Sequence, residues 1–122
     1  FSRITISMMG DEYSKTQIIK QLDKLHDVKQ VEVMERDETV TRELLLIKIK
    51  NDSATRQDVL SAVDVFRSKI IDYSPDALCV EITGESSKIN AFIELVKPYG
   101  IMEMCRTGLV ALERGGNCLG CD

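Results

Sequence analysis

The alternation of hydrophobic and polar positions along the chain predicts three successive strand–helix–strand motifs. In the first motif, residues 3–9 and 28–34 alternate apolar and polar side chains with the period of a strand. The segment between them repeats apolar side chains at helical spacing, and this stripe consists of Ile18, Ile19, Leu22 and Leu25. We expect Ser14 to cap this helix, because a serine side chain can accept the unpaired N–H groups of a first turn.

The second and third motifs follow residues 35–38, a charged stretch without apolar side chains that we interpret as the domain boundary. Their strands are predicted at residues 43–50, 69–73, 77–83 and 101–106. The helices between these strands carry two apolar stripes, formed by Val59, Leu60, Val63 and Phe66 and by Ile89, Phe92, Ile93 and Val96. Ser53 is the expected cap of the first of these helices. A last apolar stretch at residues 109–112 precedes a Gly-rich end.

Two adjacent strand–helix–strand motifs interleave into a βαββαβ sandwich, so we predict an α+β chain with a ferredoxin-like domain. In this fold the first and third strands are central, and the helices cover one face of an antiparallel sheet. Leu44 and Leu46 point to the face opposite to Leu45, Ile47 and Ile49, so the first of these strands is apolar on both faces. We therefore expect a partner or another subunit to cover at least part of the open face.

The first motif, residues 3–34, has no mate in this sequence. A single strand–helix–strand motif buries too little apolar surface to be stable alone. We expect it to pair with an N-terminal motif outside this sequence, to pair with the same motif of another chain, or to remain poorly ordered. The sequence starts with Phe1 rather than Met, close to a predicted strand, so we expect the native protein to continue N-terminally.

The composition narrows the class of protein. A length of 122 residues with 43% hydrophobic residues allows one compact domain, or one and a half small ones. A net charge of −4 without a basic stripe argues against a nucleic-acid partner. The longest apolar run, residues 44–47, is too short to span a membrane, and no signal peptide is visible. The four cysteines do not form the dense framework of a small secreted domain, so we expect a cytoplasmic protein.

Candidate catalytic and metal-binding residues are few. His26 is the only histidine and has no Ser, Cys or acid motif beside it, so we interpret it as an exposed residue at the end of the first helix. Cys118 and Cys121 have the spacing of half a zinc site or of a redox pair. No two further zinc ligands are evident, and the pair follows a Gly-rich segment instead of opening a helix. We therefore expect free thiols in a flexible tail.

Other polar and sulfur-containing side chains fit ordinary structural roles. The acids that could form a carboxylate pair are Asp11, Glu12, Glu81 and Glu85, and we expect all of them on solvated turns and strand positions. We interpret Met8, Met9, Met102 and Met104 as core or interface residues. Gly108, Gly115 and Gly116 do not open a helix with the Lys and Ser or Thr of a phosphate loop. The sequence therefore predicts a non-catalytic regulatory module without catalytic, cofactor-binding or metal-binding residues.

Seven segments, in order and over residues 1–115, resemble the small, regulatory subunit of acetolactate synthase, also called acetohydroxyacid synthase. They include RELLLIKI at residues 42–49, VEITG at residues 80–84 and RTGLVALERG at residues 106–115. The remaining segments are residues 3–12, 17–25, 65–72 and 88–93. Each segment alone is short, but seven at the expected spacing are specific.

The resemblance implies a domain order and a function. Residues 1–37 would be the C-terminal half (β-α-β) of an ACT domain, residues 38–115 the ferredoxin-like C-terminal domain, and residues 116–122 a flexible tail. Such subunits form homodimers through their ACT domains and activate the catalytic (large) subunit. They also confer feedback inhibition by a branched-chain amino acid, usually valine. Thiamine diphosphate, magnesium and the chemistry belong to the catalytic subunit, so the resemblance implies no cofactor in this chain.

The resemblance assigns no effector-binding residue to this sequence. The family binds its effector chiefly through the loop and helix after the first ACT strand, and that segment would precede Phe1. We therefore expect this sequence alone to bind valine poorly. The Cys118 and Cys121 pair lies beyond the family pattern. Two alternatives remain at this point, namely a stand-alone ferredoxin-like module that senses a ligand or metal, and a small redox enzyme that uses this pair.

Overall fold

The computed structural model describes residues 2–120. Within this part of the chain, α-helices span Glu12–Asp23 (α1), Arg56–Val65 (α2) and Ser86–Val96 (α3). The strands span Thr39–Lys50 (β1), Lys69–Tyr73 (β2), Ala77–Gly84 (β3), Ile101–Arg106 (β4) and Val110–Glu113 (β5). Short 3-10 turns occupy Arg36–Glu38 and Lys97–Tyr99. None of the helices in the described part of the chain is long and apolar enough to cross a membrane.

The chain divides into two compact units. We call residues 41–110 the central unit, and residues 1–40 together with 111–122 the terminal unit. In the central unit the strand order is β2-β3-β1-β4, and every neighbouring pair in this order is antiparallel. With α2 after β1 and α3 after β3, this order is the ferredoxin-like βαββαβ arrangement. The predicted fold class is confirmed, and β1 and β3 are the central strands as expected.

The core of the central unit lies between one face of the sheet and both of its helices. Alternate residues of the central strands point into it, because successive side chains of a strand face opposite sides. The buried apolar residues are Leu45, Ile47, Ile49, Val59, Ala62, Val63, Leu78, Val80, Ile82, Ile89, Phe92 and Val96. Phe92 packs edge-to-face on Phe66, with ring centroids 5.3 Å apart. The helical stripes therefore face the sheet, as their spacing predicts.

The opposite face of β1 is less covered. Leu44 is half-buried and Leu46 is 37% exposed, whereas Leu45 between them is fully buried. Lys48 lies on the same open face and forms an ion pair with Glu103 of β4 at 3.8 Å. The open face thus mixes apolar residues with paired charges.

Neither of the two expected serine caps is found at the start of a helix. The Asp11 carboxylate accepts the Ser14 N–H at 2.8 Å, so Asp11 is the N-cap of α1 and Ser14 lies inside the helix. The N-cap of α2 is Thr55, which makes no side-chain capping hydrogen bond, and the Asp52 carboxylate accepts the Ala54 N–H at 3.0 Å in the turn before the helix. The predictions for Ser14 and Ser53 are therefore wrong. At α1 the ionised Asp11 carboxylate is a stronger acceptor than a serine hydroxyl.

The terminal unit contains α1 but not the strands predicted around it. Residues 3–9 and 28–34 lie outside any strand, so this part of the sequence prediction is wrong. A strand needs a neighbour that accepts and donates backbone hydrogen bonds, and an alternating pattern cannot supply one. The last strand, β5, lies over the apolar stretch at residues 109–112 and pairs with β1. Just beyond it, Arg114 N–H donates to the Glu38 carbonyl at 2.8 Å.

Candidate functional site

A buried carboxylate joins three elements of the central unit. Glu43 on β1 is only 5% exposed. Arg106, the last residue of β4, donates from Nε to one carboxylate oxygen at 3.0 Å and from Nη2 to the other at 2.8 Å. Ser86, the first residue of α3, donates to the second oxygen at 2.5 Å. Arg106 Nη1 also donates to Asn90 Oδ1 at 2.8 Å, one turn further along α3. We call these four residues the Glu43 cluster.

The surroundings of Glu43 favour its charged form. The hydrogen bonds from Arg106, and next the one from Ser86, lower the pKa of the Glu43 carboxyl below its ordinary value of 4.5, against the opposing effect of burial. Both carboxylate oxygens already accept hydrogen bonds from the protein. A carboxylate held in this way is a poor general acid or base, because it has neither a proton to give nor a free oxygen. The Glu43 cluster therefore positions β1, β4 and α3.

The sequence prediction missed the Glu43 cluster, although β1 carries a signal for it. By strand alternation Glu43 shares its face with Leu45, Ile47 and Ile49, which is the face that the helices cover. A charge at an inward position needs a buried partner, since an unpaired one is costly. The pattern could therefore have indicated a salt bridge, but the identity of Arg106 as its partner depends on strand pairing.

A shallow depression of about 340 Å³ lies at the same end of the sheet. Its lining residues are Arg42, Thr83, Gly84, Glu85, Ser87 and Lys88. The Arg42 guanidinium lies 3.9 Å from the Glu85 carboxylate, and the Lys88 ammonium donates to the Thr83 carbonyl at 3.0 Å. Arg42 is thus paired with a carboxylate, whereas the Lys88 ammonium donates only to a neutral carbonyl and forms no ion pair within the described residues.

A second, apolar groove of about 230 Å³ runs between α2 and α3. It is lined by Asp58, Ser61, Ala62, Val65, Leu95 and Tyr99. Val65 is 75% exposed and Leu95 is 45% exposed. Asp58 and Ser61 both line the groove, but no hydrogen bond joins the carboxylate to the hydroxyl, and the remaining lining is mostly apolar, as on a contact surface.

The predicted candidate residues do not gather at one place. His26 is exposed in the turn after α1, as expected. The four acids lie on the N-cap and first turn of α1 (Asp11 and Glu12), on β3 (Glu81) and on the N-cap of α3 (Glu85). Within residues 2–120, no three His, Cys, Asp or Glu side chains come close enough to hold a metal ion.

The sulfur-containing side chains depart from the sequence prediction in two respects. Cys118 is disulfide-bonded, so the expectation of a free thiol there is wrong, and Cys121 lies outside the described residues. A cysteine in a Gly-rich segment can reach disulfide geometry without straining a packed fold. The four predicted core or interface methionines, Met8, Met9, Met102 and Met104, are 38–98% exposed. They are therefore surface residues, which leaves only the interface interpretation.

Apolar side chains are exposed throughout the terminal unit. None of residues 2–38 is buried, and the stripe of α1 is at most half-buried. Ile4 is 82% exposed, Met9 98% and Tyr13 71%. Several large apolar side chains in solvent are a feature of surfaces that another polypeptide covers.

The comparisons with known proteins agree with one another. The sequence profile of the family described as "Small subunit of acetolactate synthase" matches residues 42–115. The probable acetolactate synthase small subunit of Methanothermobacter thermautotrophicus is 44% identical over 119 residues, which are 97% of this chain and 71% of that protein. The small subunit of Aquifex aeolicus is 46% identical over 114 residues, which are 93% of this chain but 59% of that protein.

A solved structure supports the same assignment. The crystal structure of the acetolactate synthase small subunit from Thermotoga maritima matches with a TM-score of 0.79 and 39% sequence identity. The match covers 89% of this chain and 68% of that chain. A family profile over more than half of the chain, together with identities above 40% over nearly all of it, leaves one assignment. This chain belongs to the acetolactate synthase small-subunit family.

Proposed function

We propose that this chain is a non-catalytic regulatory subunit of acetolactate synthase that binds the catalytic subunit and raises its activity. The observation that carries the proposal is the match of residues 42–115 to the small-subunit family, with relatives of that name over nearly the whole chain. The exposed apolar surfaces described above suit a protein that works by binding another one. Thiamine diphosphate and the chemistry would reside in the catalytic subunit, and both subunits in the cytoplasm.

We further propose that the intact subunit confers feedback inhibition by a branched-chain amino acid, with valine as the first candidate. Residues 1–37 would be the second half of an ACT domain, through which two subunits dimerise, and residues 38–115 the second domain. The unpaired segments at residues 3–9 and 28–34, and the half-buried stripe of α1, support this division. Both features are expected of half a sandwich whose remaining strands come from elsewhere. The effector would act by changing the conformation of the catalytic partner.

Co-purification tests the partner. A tagged catalytic subunit of acetolactate synthase is mixed with this chain, and the complex is collected by affinity and sized. The proposal predicts a complex with defined stoichiometry and a higher molecular mass than either protein alone. Elution of this chain at its own mass, with none retained on the catalytic subunit, would contradict the proposal.

Calorimetry with valine tests the effector on two proteins, the native subunit with a complete ACT domain and the 122-residue chain. The proposal predicts that valine binds the native subunit when it carries a complete ACT domain, and binds the 122-residue chain weakly or not at all. Equal valine affinity of the two forms would place the effector site within this chain and contradict the proposed division.

A further inference from the structure

We propose that the outer edge of β2 pairs with the same edge of a second copy of this chain, across a two-fold axis at Ile70. This contact lies in the central unit and is separate from the ACT contact proposed above. It follows from the exposure of the edge, its bulge and its charges.

The β2 strand is the last strand on its side of the sheet and pairs only with β3 among the described strands. All five of its residues are exposed, including Ile71 at 51% and Tyr73 at 55%. The outer side of an end strand presents unpaired backbone N–H and C=O groups that can add a further strand. This edge therefore combines backbone pairing capacity with apolar side chains in solvent.

A bulge at Ile71 sets which side chains share a face. Lys69 lies opposite Glu81 of β3, and Asp72 lies opposite Cys79, so Ile71 is the extra residue. Glu81 and Cys79 are two positions apart on β3 and point to the same, open face of the sheet. Lys69 and Asp72 therefore share the open face, although they are three positions apart in sequence. In a regular strand these two side chains would point to opposite faces.

The bulge makes the edge complementary to itself. With Ile71 left as the extra residue in the new pairing, as it is against β3, antiparallel pairing about Ile70 places Lys69 of one copy opposite Asp72 of the second copy, and the reverse pair on the other side of the axis. Ile70 then meets its own counterpart. Within residues 2–120 neither Lys69 nor Asp72 takes part in an ion pair. Two unpaired opposite charges at this spacing select a second copy of this chain as the occupant of the edge.

The proposed contact between two β2 edges is small, so its detection needs a method that captures weak association. A five-residue strand edge buries less surface than a stand-alone interface of about 1,200 Å². Bulges and lysines also occur on edges that avoid pairing. Cross-linking at a defined residue captures a weak contact. It therefore distinguishes an edge that pairs with a second copy from an edge that avoids pairing better than molecular mass alone does.

The test uses Ile70→Cys in a full-length variant whose four native cysteines are replaced by serine. Directly opposed residues of antiparallel strands have Cα atoms about 4.5–5.5 Å apart, within the range of a disulfide. Mild oxidation is expected to give a disulfide-linked dimer. Val65→Cys in the same background is the matched control, because Val65 is more exposed than Ile70 but belongs to α2 and not to the edge strand. Equal dimer yields from the two variants would overturn the proposal.

Charge reversal supplies the second criterion. Adding Lys69→Asp puts two acids opposite each other at both ends of the contact, so the dimer yield is expected to fall about tenfold. Adding Asp72→Lys as well exchanges the charges and is expected to restore the yield. A yield that ignores the reversal, or that the exchange does not restore, would overturn the proposal.

The same charge variants with native cysteines are followed by sedimentation, which does not depend on how Ile70→Cys folds. Weaker self-association of Lys69→Asp, restored by the exchange, is the expected result. An association constant that both variants leave unchanged would overturn the proposal, as would cross-linking of β2 to the catalytic subunit in its place.

Discussion

The interior of the central unit depends on a charge as well as on apolar side chains. Glu43 is buried to the same degree as its apolar neighbours on β1, and the Arg106 guanidinium neutralises it with two hydrogen bonds. Pairing a buried charge costs desolvation of both groups, so such a pair contributes little net stability. Removing one partner is much more costly than the pair is worth, because the other charge then stays buried alone. The Glu43 cluster therefore makes the pairing of β4 with β1 specific.

Replacement of Arg106 by leucine tests this role. We expect Arg106→Leu to lower the free energy of unfolding by about 3 kcal/mol, since it leaves the Glu43 carboxylate buried without its counterion. The matched control is Arg42→Leu, which removes an exposed pair with Glu85 at 3.9 Å and should change stability by less than about 1 kcal/mol. Urea unfolding followed by circular dichroism measures both values. Equal effects of the two substitutions would show that the Glu43 cluster has no special weight.

The lowered pKa of Glu43 gives the cluster a pH dependence. A carboxyl whose pKa is lowered on folding stabilises the protein above its unfolded value of 4.5, and the contribution is lost as the pH falls through the folded value. We therefore expect the wild-type chain to lose stability below about pH 4.5 more steeply than Glu43→Gln. The measurement is the free energy of unfolding of both proteins between about pH 2.5 and 7. If the free energy of unfolding depended on pH in the same way in both proteins, the lowered pKa of Glu43 would be contradicted.

At the scale of elements, the predictability of the chain differs between its two units. The bounds of β2 and β4 are those predicted, and β3 extends one residue further, to Gly84. Strand alternation and helical stripes record burial against partners that lie within the central unit, so the pattern there determines the elements. The segments at residues 3–9 and 28–34 carry the same kind of pattern without a strand beside them. The alternation in these segments specifies which side chains would share a face, but a strand also needs a neighbouring strand for its backbone hydrogen bonds.

The Glu43 cluster and the bulge of β2 could not be predicted from the sequence, because both depend on how the strands pair. An inward-facing glutamate can be recognised on β1, but its partner lies 63 positions further along the chain. Which residue of β2 is extra depends on its register with β3, which a single sequence does not contain. Helix caps were closer to prediction, because Ser14 lies three residues after the N-cap of α1 (Asp11) and Ser53 two residues before that of α2 (Thr55).

The start of α1 can be tested as an element. We expect Asp11→Ala to destabilise this helix, because the Ser14 N–H loses its acceptor and the first turn loses an acid. Ser14→Ala keeps the backbone N–H and should have a smaller effect. Hydrogen exchange of the first-turn amides, compared between the two variants, measures the difference. Faster exchange in Ser14→Ala than in Asp11→Ala would restore Ser14 as the cap.

At the scale of the whole molecule, the chain combines a closed core with surfaces that are left open. The central unit buries its apolar face between sheet and helices, while residues 2–38 contain no buried side chain. Catalysis needs converging polar groups, and the polar groups that converge here, those of the Glu43 cluster, are all engaged with one another. Exposed apolar side chains of the described chain lie on the open face of the sheet, on the edge strand β2 and in the groove between α2 and α3. This distribution suits a subunit that acts through contacts with other chains.

The measurement that tests this account most directly is the rate of acetolactate formation by a catalytic subunit of acetolactate synthase, titrated with this chain. The account predicts that the rate rises and then saturates at a fixed ratio of the two proteins, while this chain alone gives no product. It also predicts that valine inhibits more strongly when the added subunit carries a complete ACT domain. A rate that stays at the level of the catalytic subunit alone across the titration, with either form of the subunit, would contradict the account.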